Sequence, residues 1–383
     1  MSNSQRHISV FTGGGECFTP MGISLSENVE GIKKGESGIH LHSDSNLAET
    51  EFQGAIIDKT TLENEFSQIA YQGEFTSLEK MLLVTIHRLL PTFKADLTKR
   101  CGLILSTTKG NIESLENDSA VSYYLQDLAQ KIASTVGIQS PPIVLSNACV
   151  SGIMAISVAK RLIQAGTYDH FLVIGGDLFS RFVFSGFQAF QAVSSQPCKP
   201  YDKNRDGITL GEATAAMFIS KEQENFTHPY EIVGDGSVND ANHISGPSRT
   251  GEGLYQSIQS ALKEANIDAS LIDCISSHGT ATMYNDEMEA QAFNRSNLQE
   301  TPVTSLKPCF GHTLGAAGLL ETVISLRFAD ENLVPPNFNF QEHGLTLPLN
   351  VNMHLLPKET NYILKTASGF GGSNTAVIFK KVK

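Results

Sequence analysis

The chain has 383 residues, 40% of them hydrophobic and 18% charged, which is enough apolar material for one large core or two fused ones. Its formal net charge of −12 argues against non-specific nucleic-acid binding, and no apolar run reaches the roughly 18 residues a membrane span needs. The N-terminal MSNSQRHISVFTGGGE has no apolar signal-peptide core, and the cysteines (Cys17, Cys101, Cys149, Cys198, Cys274, Cys309) scatter without a CxxC pair. Both features predict reduced thiols in a cytoplasmic protein, not a disulfide framework or a zinc site.

A first strand is predicted over His7–Thr12, with Gly13-Gly14-Gly15 as a tight turn after it; the GxGxxG spacing of a dinucleotide loop is absent. Ser24–Lys34 reads as a helix closed by Gly35, and Leu41–Thr61 as irregular. Ser77–Leu90 is a strong amphipathic helix, with Pro91 behind it. Cys101–Thr107 is a buried strand and Ser119–Thr135 another helix. Ile143–Leu145 is a short strand, followed by a tight turn and a helix starting near Cys149. That helix carries no charge before Lys160, so it is buried on nearly all sides, and Gly166 caps it. A thiol at such a helix start faces unpaired N–H groups and the positive end of the macrodipole, a setting that favours the thiolate. Phe171–Ile174 is a strand ending in Gly175-Gly176-Asp177. Phe179–Ser195 suits a pocket wall or a partner surface, Lys199–Gly211 is a charged loop, and Ala213–Ser220 is a strand.

The second half repeats this grammar. Strands are predicted at Tyr230–Asp235, Ile272–Ser277, Pro302–Leu306, Tyr362–Thr366 and Ala376–Lys380, and helices at Leu254–Glu264 and Thr313–Phe328. Two similar α/β units packed on each other follow, residues 1–225 and 226–383, with catalytic groups at strand ends near their junction. Four loops fall at equivalent strand ends: Cys149, His278 in SHGTAT, His312 in LKPCFGHTLGAAG, and Gly369-Phe370-Gly371-Gly372. A nucleophilic thiol needs a base or cation beside it, and either histidine could serve. Lys307 and Glu321 could form an ion pair that sets the local field.

Six stretches, in order, resemble the β-ketoacyl-acyl carrier protein synthases of the type I/II, Cys-His-His branch. Asn147–Gly152 is similar to their nucleophile elbow, His278–Asp286 to their HGTxTxxND loop, Lys307–Gly318 to their lysine and GHTxGAAG stretch, and Gly369–Asn374 to their GFGGTN loop. Lys199–Gly207 with Gly211-Glu212, and Asn239–His243 before Pro247, also fit. The resemblance implies the thiolase fold: two pseudo-repeated halves in an α-β-α-β-α sandwich, normally dimeric. It implies that Cys149 is the acyl-accepting nucleophile and that His278 and His312 stabilise the enolate left by malonyl decarboxylation. The backbone N–H groups of Cys149 and Phe370 would form the oxyanion hole, and Phe370 would gate the acyl pocket. Thr280 and Thr282 would hold the phosphopantetheine arm, Lys307 and Glu321 would be a structural pair, and Asp240 and His243 would order water near the departing carboxylate. No cofactor of the protein's own is implied, because the substrates ride on the phosphopantetheine of an acyl carrier protein. The implied partners are that carrier and, in the dimer, an identical or a synthase-like subunit.

The sequence departs from the pattern at Asn147, Ala281, Met283 and Pro308. Gln191 stands where housekeeping members carry an arginine that meets the carrier, and Ser77–Leu90 holds only Lys80, His87 and Arg88 as cations. These differences favour a specialised polyketide- or polyene-type pathway over the housekeeping elongation synthase. A non-catalytic chain-length-factor-like subunit would lack the active cysteine. A papain-like hydrolase would show a Cys-Gly-Ser-Cys-Trp signature, and the chain has no tryptophan.

Overall fold

The computed structural model describes residues 8–117, 120–241, 246 and 248–382. In the first half, β1 (Phe11–Phe18), β2 (Cys101–Ser106), β3 (Ile143–Leu145), β4 (His170–Asp177) and β5 (Ala213–Ser220) lie in the order β1-β5-β4-β2-β3. β5 runs antiparallel to both neighbours, while β4-β2 and β2-β3 are parallel. In the second half, β6 (Tyr230–Asn239), β7 (Cys274–Ser276), β8 (Val303–Thr304), β9 (Tyr362–Ser368) and β10 (Ser373–Lys381) lie in the order β6-β10-β9-β7-β8, with the same sequence of directions. Each strand thus has its counterpart five strands later. The halves join in one ten-stranded sheet where Phe11 and Thr12 of β1 meet Glu231 and Tyr230 of β6.

The helices around this sheet include α1 (Ser77–Leu89), α2 (Leu125–Thr135), α3 (Ser151–Gln164), α4 (Arg181–Ala189), α5 (Glu252–Ala265), α6 (Met283–Arg295) and α7 (Ala317–Asp330). α3 and α7 pack on each other between the halves, and each touches strands of both. α1 and α2 pack on the first half and α5 on the second, with α6 against α5, giving the α-β-α-β-α layering of the thiolase fold. The central helices approach closely because glycine faces backbone at the crossing. A Cβ on Gly152 would lie 2.6 Å from the Leu319 nitrogen, and one on Gly318 2.7 Å from the Ile153 nitrogen.

Local chemistry explains the element bounds. α1 starts where Thr76 and Glu79 cap each other's backbone N–H groups, an arrangement worth about 1 kcal/mol. The helix expected from Ser119 begins at Leu125, after an exposed Tyr123–Tyr124 pair. Leu41–Thr61, expected irregular, holds the end of the strand His40–His42, the strand Phe52–Ala55 and the start of a helix at Lys59. The glycine triplet is not a turn after the first strand but lies inside β1, at a bulge between Thr12 and Gly15. A Cβ on Gly15 would meet the Ala216 carbonyl oxygen at 2.2 Å and Val323 of α7 at 2.6 Å, so glycine is what lets strand and helix pack there.

Candidate active site

β3 ends at Leu145 and α3 begins at Ser151, and the turn between them raises Cys149 on a strained elbow: Ala148 has φ 45°. The Ser151 hydroxyl fixes this turn, accepting the Asn147 N–H at 2.8 Å and donating to the Ala148 carbonyl at 2.6 Å. Asn147 also accepts a hydrogen bond from Ser373 in the opposite half, 3.1 Å. Gly369 passes so close that a Cβ there would lie 3.2 Å from the Cys149 nitrogen. The next residue, Phe370, brings its backbone N–H near enough to Cys149 Sγ to favour the thiolate.

The ligating atoms of Cys149, His278 and His312 all lie within 4.8 Å of one another. His312 Nε2 is 3.0 Å from Cys149 Sγ, and the two imidazole rings stand nearly perpendicular, at 83°, with centroids 5.4 Å apart. Each ring's tautomer is set from behind. His312 Nδ1 accepts the Leu314 N–H at 3.2 Å, so the neutral ring carries its proton on Nε2 and donates it to Sγ. The Lys307 ammonium, which can only donate, lies 3.3 Å from His278 Nδ1 and also bonds the His278 carbonyl oxygen. His278 is therefore also an Nε2–H donor. The trio is close enough to suggest a metal ion, but these tautomers aim protons rather than lone pairs from the histidines.

Burial dominates the electrostatics. It holds both histidines well below the usual imidazole range, and Lys307 adds to the effect, so both rings are neutral at neutral pH. Burial also pushes the Cys149 thiol up to about 11, with Lys307 and the Phe370 N–H offsetting part of the rise. This corrects the thiolate expected from sequence. Cys149 stands two residues ahead of the first helical residue and is only 6% exposed, so desolvation outweighs the helix end.

Both histidine loops rest on buried carboxylates. Glu289 of α6 accepts the N–H groups of His278 and Gly279 at 2.8 and 2.7 Å, and Asp286 accepts those of Thr280 and Tyr201 at 3.0 and 2.7 Å. The Tyr201 hydroxyl lies 2.6 Å from Ser277 Oγ and 3.0 Å from Glu289 Oε2, which makes Lys199–Gly207 a buttress for the His278 loop rather than a free loop. Asp177, at the end of β4, gathers Thr107, Thr108, Lys109 and the Gly315 N–H, 2.7 Å, next to the residue that orients His312. The Thr209 carbonyl accepts the His312 N–H at 2.7 Å.

The N-terminal domain model of β-ketoacyl synthases matches residues 9–225, and the C-terminal domain model matches residues 230–341. The chain belongs to the β-ketoacyl synthase family. It is 35% identical over 252 residues to the 3-oxoacyl-[acyl-carrier-protein] synthase 2 of Rhizobium meliloti, an alignment covering 61% of this chain and 59% of that protein. It is 26% identical to the synthase of the same name from Vibrio harveyi, across 99% of both. The ketosynthase ApeO of Xenorhabdus doucetiae, solved in complex with its chain length factor ApeC, superimposes with a TM-score of 0.85 at 25% identity over 100% of both chains.

In this synthase-family chain, a cavity of about 870 Å³ runs from Cys149, His278 and His312 to the surface. Phe370, Thr280, Thr282 and Asp240 line it, and the Thr280 and Thr282 hydroxyls are 2.9 Å apart. Phe370 is partly exposed, its ring tilted against Phe187 and Phe190 at 5.7 and 5.9 Å. His243 lies outside the described residues. Lys307 and Glu321 form the expected ion pair, at 2.7 Å, fully buried. Sequence reasoning missed Lys365, whose ammonium reaches the other oxygen of Glu321 at 2.7 Å, and gave no role to Asp177, Asp286 or Glu289. The available signal was a charge set among apolar or glycine residues, Asp177 between Gly176 and Leu178, Glu289 between Met288 and Ala290, and Lys365 after Ile363-Leu364; Asp286, between Asn285 and Glu287, carried none.

Proposed function

We propose that this chain is a 3-oxoacyl-[acyl carrier protein] synthase that condenses malonyl-carrier protein with an acyl chain held on Cys149. The observation that carries this reading is the pair of neutral imidazoles, each with Nδ1 occupied from behind and Nε2–H left as a donor, beside one buried thiol. Two donors at one point suit an enolate oxygen better than a single proton abstraction.

In the first step the Cys149 sulfur attacks the acyl thioester of the carrier, and the thiol proton leaves on the departing phosphopantetheine thiolate. The resulting oxyanion is held by the N–H groups of Cys149 and Phe370. Malonyl-carrier protein then enters. Its carboxylate leaves as carbon dioxide, the electron pair of the broken C–C bond forms an enolate, and the enolate oxygen accepts the Nε2–H groups of His278 and His312. The enolate carbon attacks the Cys149 thioester, the same oxyanion site is used again, and Sγ departs and regains a proton from solvent. Thr280 and Thr282 bond the phosphopantetheine arm along the cavity, Asp240 with His243 orders water at the carboxylate, and Phe370 gates the acyl end. The protein needs no cofactor of its own.

The partners follow from charge and edge. Of the two formally positive residues of α1, Lys80 is bonded to Glu63 and Arg88 to Glu65, each at 2.6 Å, so that helix offers little to an acidic carrier. Gln191 adds no charge to the cavity wall, where Arg249 is the one lysine or arginine among the described lining residues. We therefore infer that docking draws on a second subunit, identical or synthase-like. β3 is the outermost strand of its half and only partly buried, an edge suited to pairing across a dimer axis. The same features favour a specialised polyketide- or polyene-type pathway in the cytoplasm. Among the described residues no helix is long and apolar enough to cross a membrane.

Intact-protein mass spectrometry with saturated, polyunsaturated and aromatic-primed acyl-carrier proteins tests the reading. An acyl adduct on Cys149 that disappears on adding malonyl-carrier protein, with a two-carbon-longer product, supports it. An adduct that is lost at the same rate without malonyl-carrier protein contradicts it.

A further inference from the structure

Lys365 sits in the middle of β9, among Ile363, Leu364 and Ala367, and is completely buried. A lysine at a central strand position costs desolvation unless its charge is met. Here it is met in full: Nζ lies 2.7 Å from Glu321 Oε2, 2.8 Å from the Thr366 carbonyl oxygen and 3.2 Å from those of Ser276 and Ser277. The last two residues lead directly into His278. The other oxygen of Glu321 takes Lys307 at 2.7 Å, and Lys307 bonds His278. One carboxylate thus lies between two ammonium groups in a site closed to solvent.

The charge count of this cluster matters more than its geometry. A Lys307–Glu321 pair alone would be neutral, and its field at the histidines would largely cancel. With Lys365 added, Glu321 is shared and the Lys307–Glu321–Lys365 trio carries a net positive charge; of the carboxylates under the same loop, Asp286 faces Arg205, and burial pushes Glu289 up to about 7, so Glu289 offsets that charge only in part. In a low-dielectric interior that charge is poorly screened. Lys365 is among the charges that oppose protonation of His278, after burial, Lys307 and His312.

We propose that Lys365 is a positioning residue for malonyl decarboxylation: by taking one oxygen of Glu321 it leaves Lys307 to polarise His278 and gives the cluster the net positive charge that favours an enolate beside the histidines. This rests on the condensing activity proposed above. Acyl loading of Cys149 draws on backbone N–H groups in the other loop, so it depends far less on Lys365.

The test is the ratio of malonyl decarboxylation, read as carbon dioxide release, to acyl loading of Cys149, read by intact mass. It is measured in the full-length protein, with kcat and KM for malonyl-carrier protein resolved separately. Lys365→Met removes the charge at similar length. It is expected to lower the decarboxylation kcat by about tenfold, with KM nearly unchanged and loading much less affected. Lys365→Met combined with Glu321→Gln removes one charge of each sign and restores the net positive count, so the ratio is expected to recover. If the single variant does not fold, the double variant decides: a ratio near that of the wild type supports the proposal. A purely structural role predicts that Lys365→Met lowers both steps equally, or that the double variant is worse than the single one, and either result overturns the proposal. Wild-type protein that neither loads nor decarboxylates overturns the functional reading and this inference with it. Wild-type protein that does both, with an unchanged ratio in the variants, overturns this inference alone.

Discussion

His312 Nε2 lies 3.0 Å from Cys149 Sγ while His312 Nδ1 accepts the backbone N–H of Leu314. The ring is therefore a donor to sulfur, not a base waiting to take its proton. The same donor, once Cys149 is acylated, is left for the oxygen of an enolate. The division of labour in the site follows from this one tautomer.

His312→Ala is accordingly expected to cost malonyl decarboxylation roughly a hundredfold or more, and acyl loading of Cys149 considerably less. Carbon dioxide release from malonyl-carrier protein and intact-mass loading kinetics separate the two. Loss of loading with decarboxylation intact would contradict the assignment.

The thiol and imidazole shifts give two pH signatures. Moving the Cys149 thiol from 9.0 to about 11 leaves roughly a hundredfold less thiolate near neutrality than in an unperturbed cysteine. Iodoacetamide alkylation of native Cys149 should thus still be rising at pH 10, where the unfolded chain has levelled off. For the histidines, folded values lie below the unfolded 6.5, so the unfolded state binds protons first. Stability is then present above pH 6.5 and is lost as pH falls below it. Thermal melts between pH 7 and 5.5 should show a smaller decline for His278→Gln/His312→Gln than for the wild type.

Phe370→Ala should open the cavity where Phe370 meets Phe187 and Phe190. The expected outcome is a changed distribution of accepted acyl chains in competition loading assays, with Cys149 still acylated. An unchanged distribution would count against a gate at this residue.

Gly318→Ala should destabilise the fold by about 1–3 kcal/mol through overpacking, because its Cβ would lie 2.7 Å from the Ile153 nitrogen across the central helix crossing. Urea titration measures the loss. A surface control such as Gly35→Ala is uninformative here, since that glycine has φ 80° for its own reasons, so Gly186→Ala, where no atom lies within 4 Å, is the comparison.

Much of this was readable from residue order. The repeat of strand, turn and apolar helix around Cys149 and again around His312 foretold the mirrored sheet order and the central α3–α7 layer. The short strand Ile143–Leu145 and the amphipathic spacing of Ser77–Leu90 were local signals, and local signals survive folding. What was not readable depends on partners distant in sequence. Gly13–Gly15 looks like a turn until α7 is packed over it. Lys365 looks like an error in a strand until Glu321 arrives from the neighbouring layer. The thiol at a helix start looks activated until burial is counted, and burial is a property of the whole fold.

The most direct measurement follows both substrates through one turnover: enzyme preloaded with an acyl chain on Cys149 is mixed with malonyl-carrier protein labelled in its free carboxylate. The account predicts one labelled carbon dioxide for each 3-oxoacyl-carrier product, with Cys149 returned to the free thiol. Release of the acyl chain as a free acid, without labelled carbon dioxide, would contradict it.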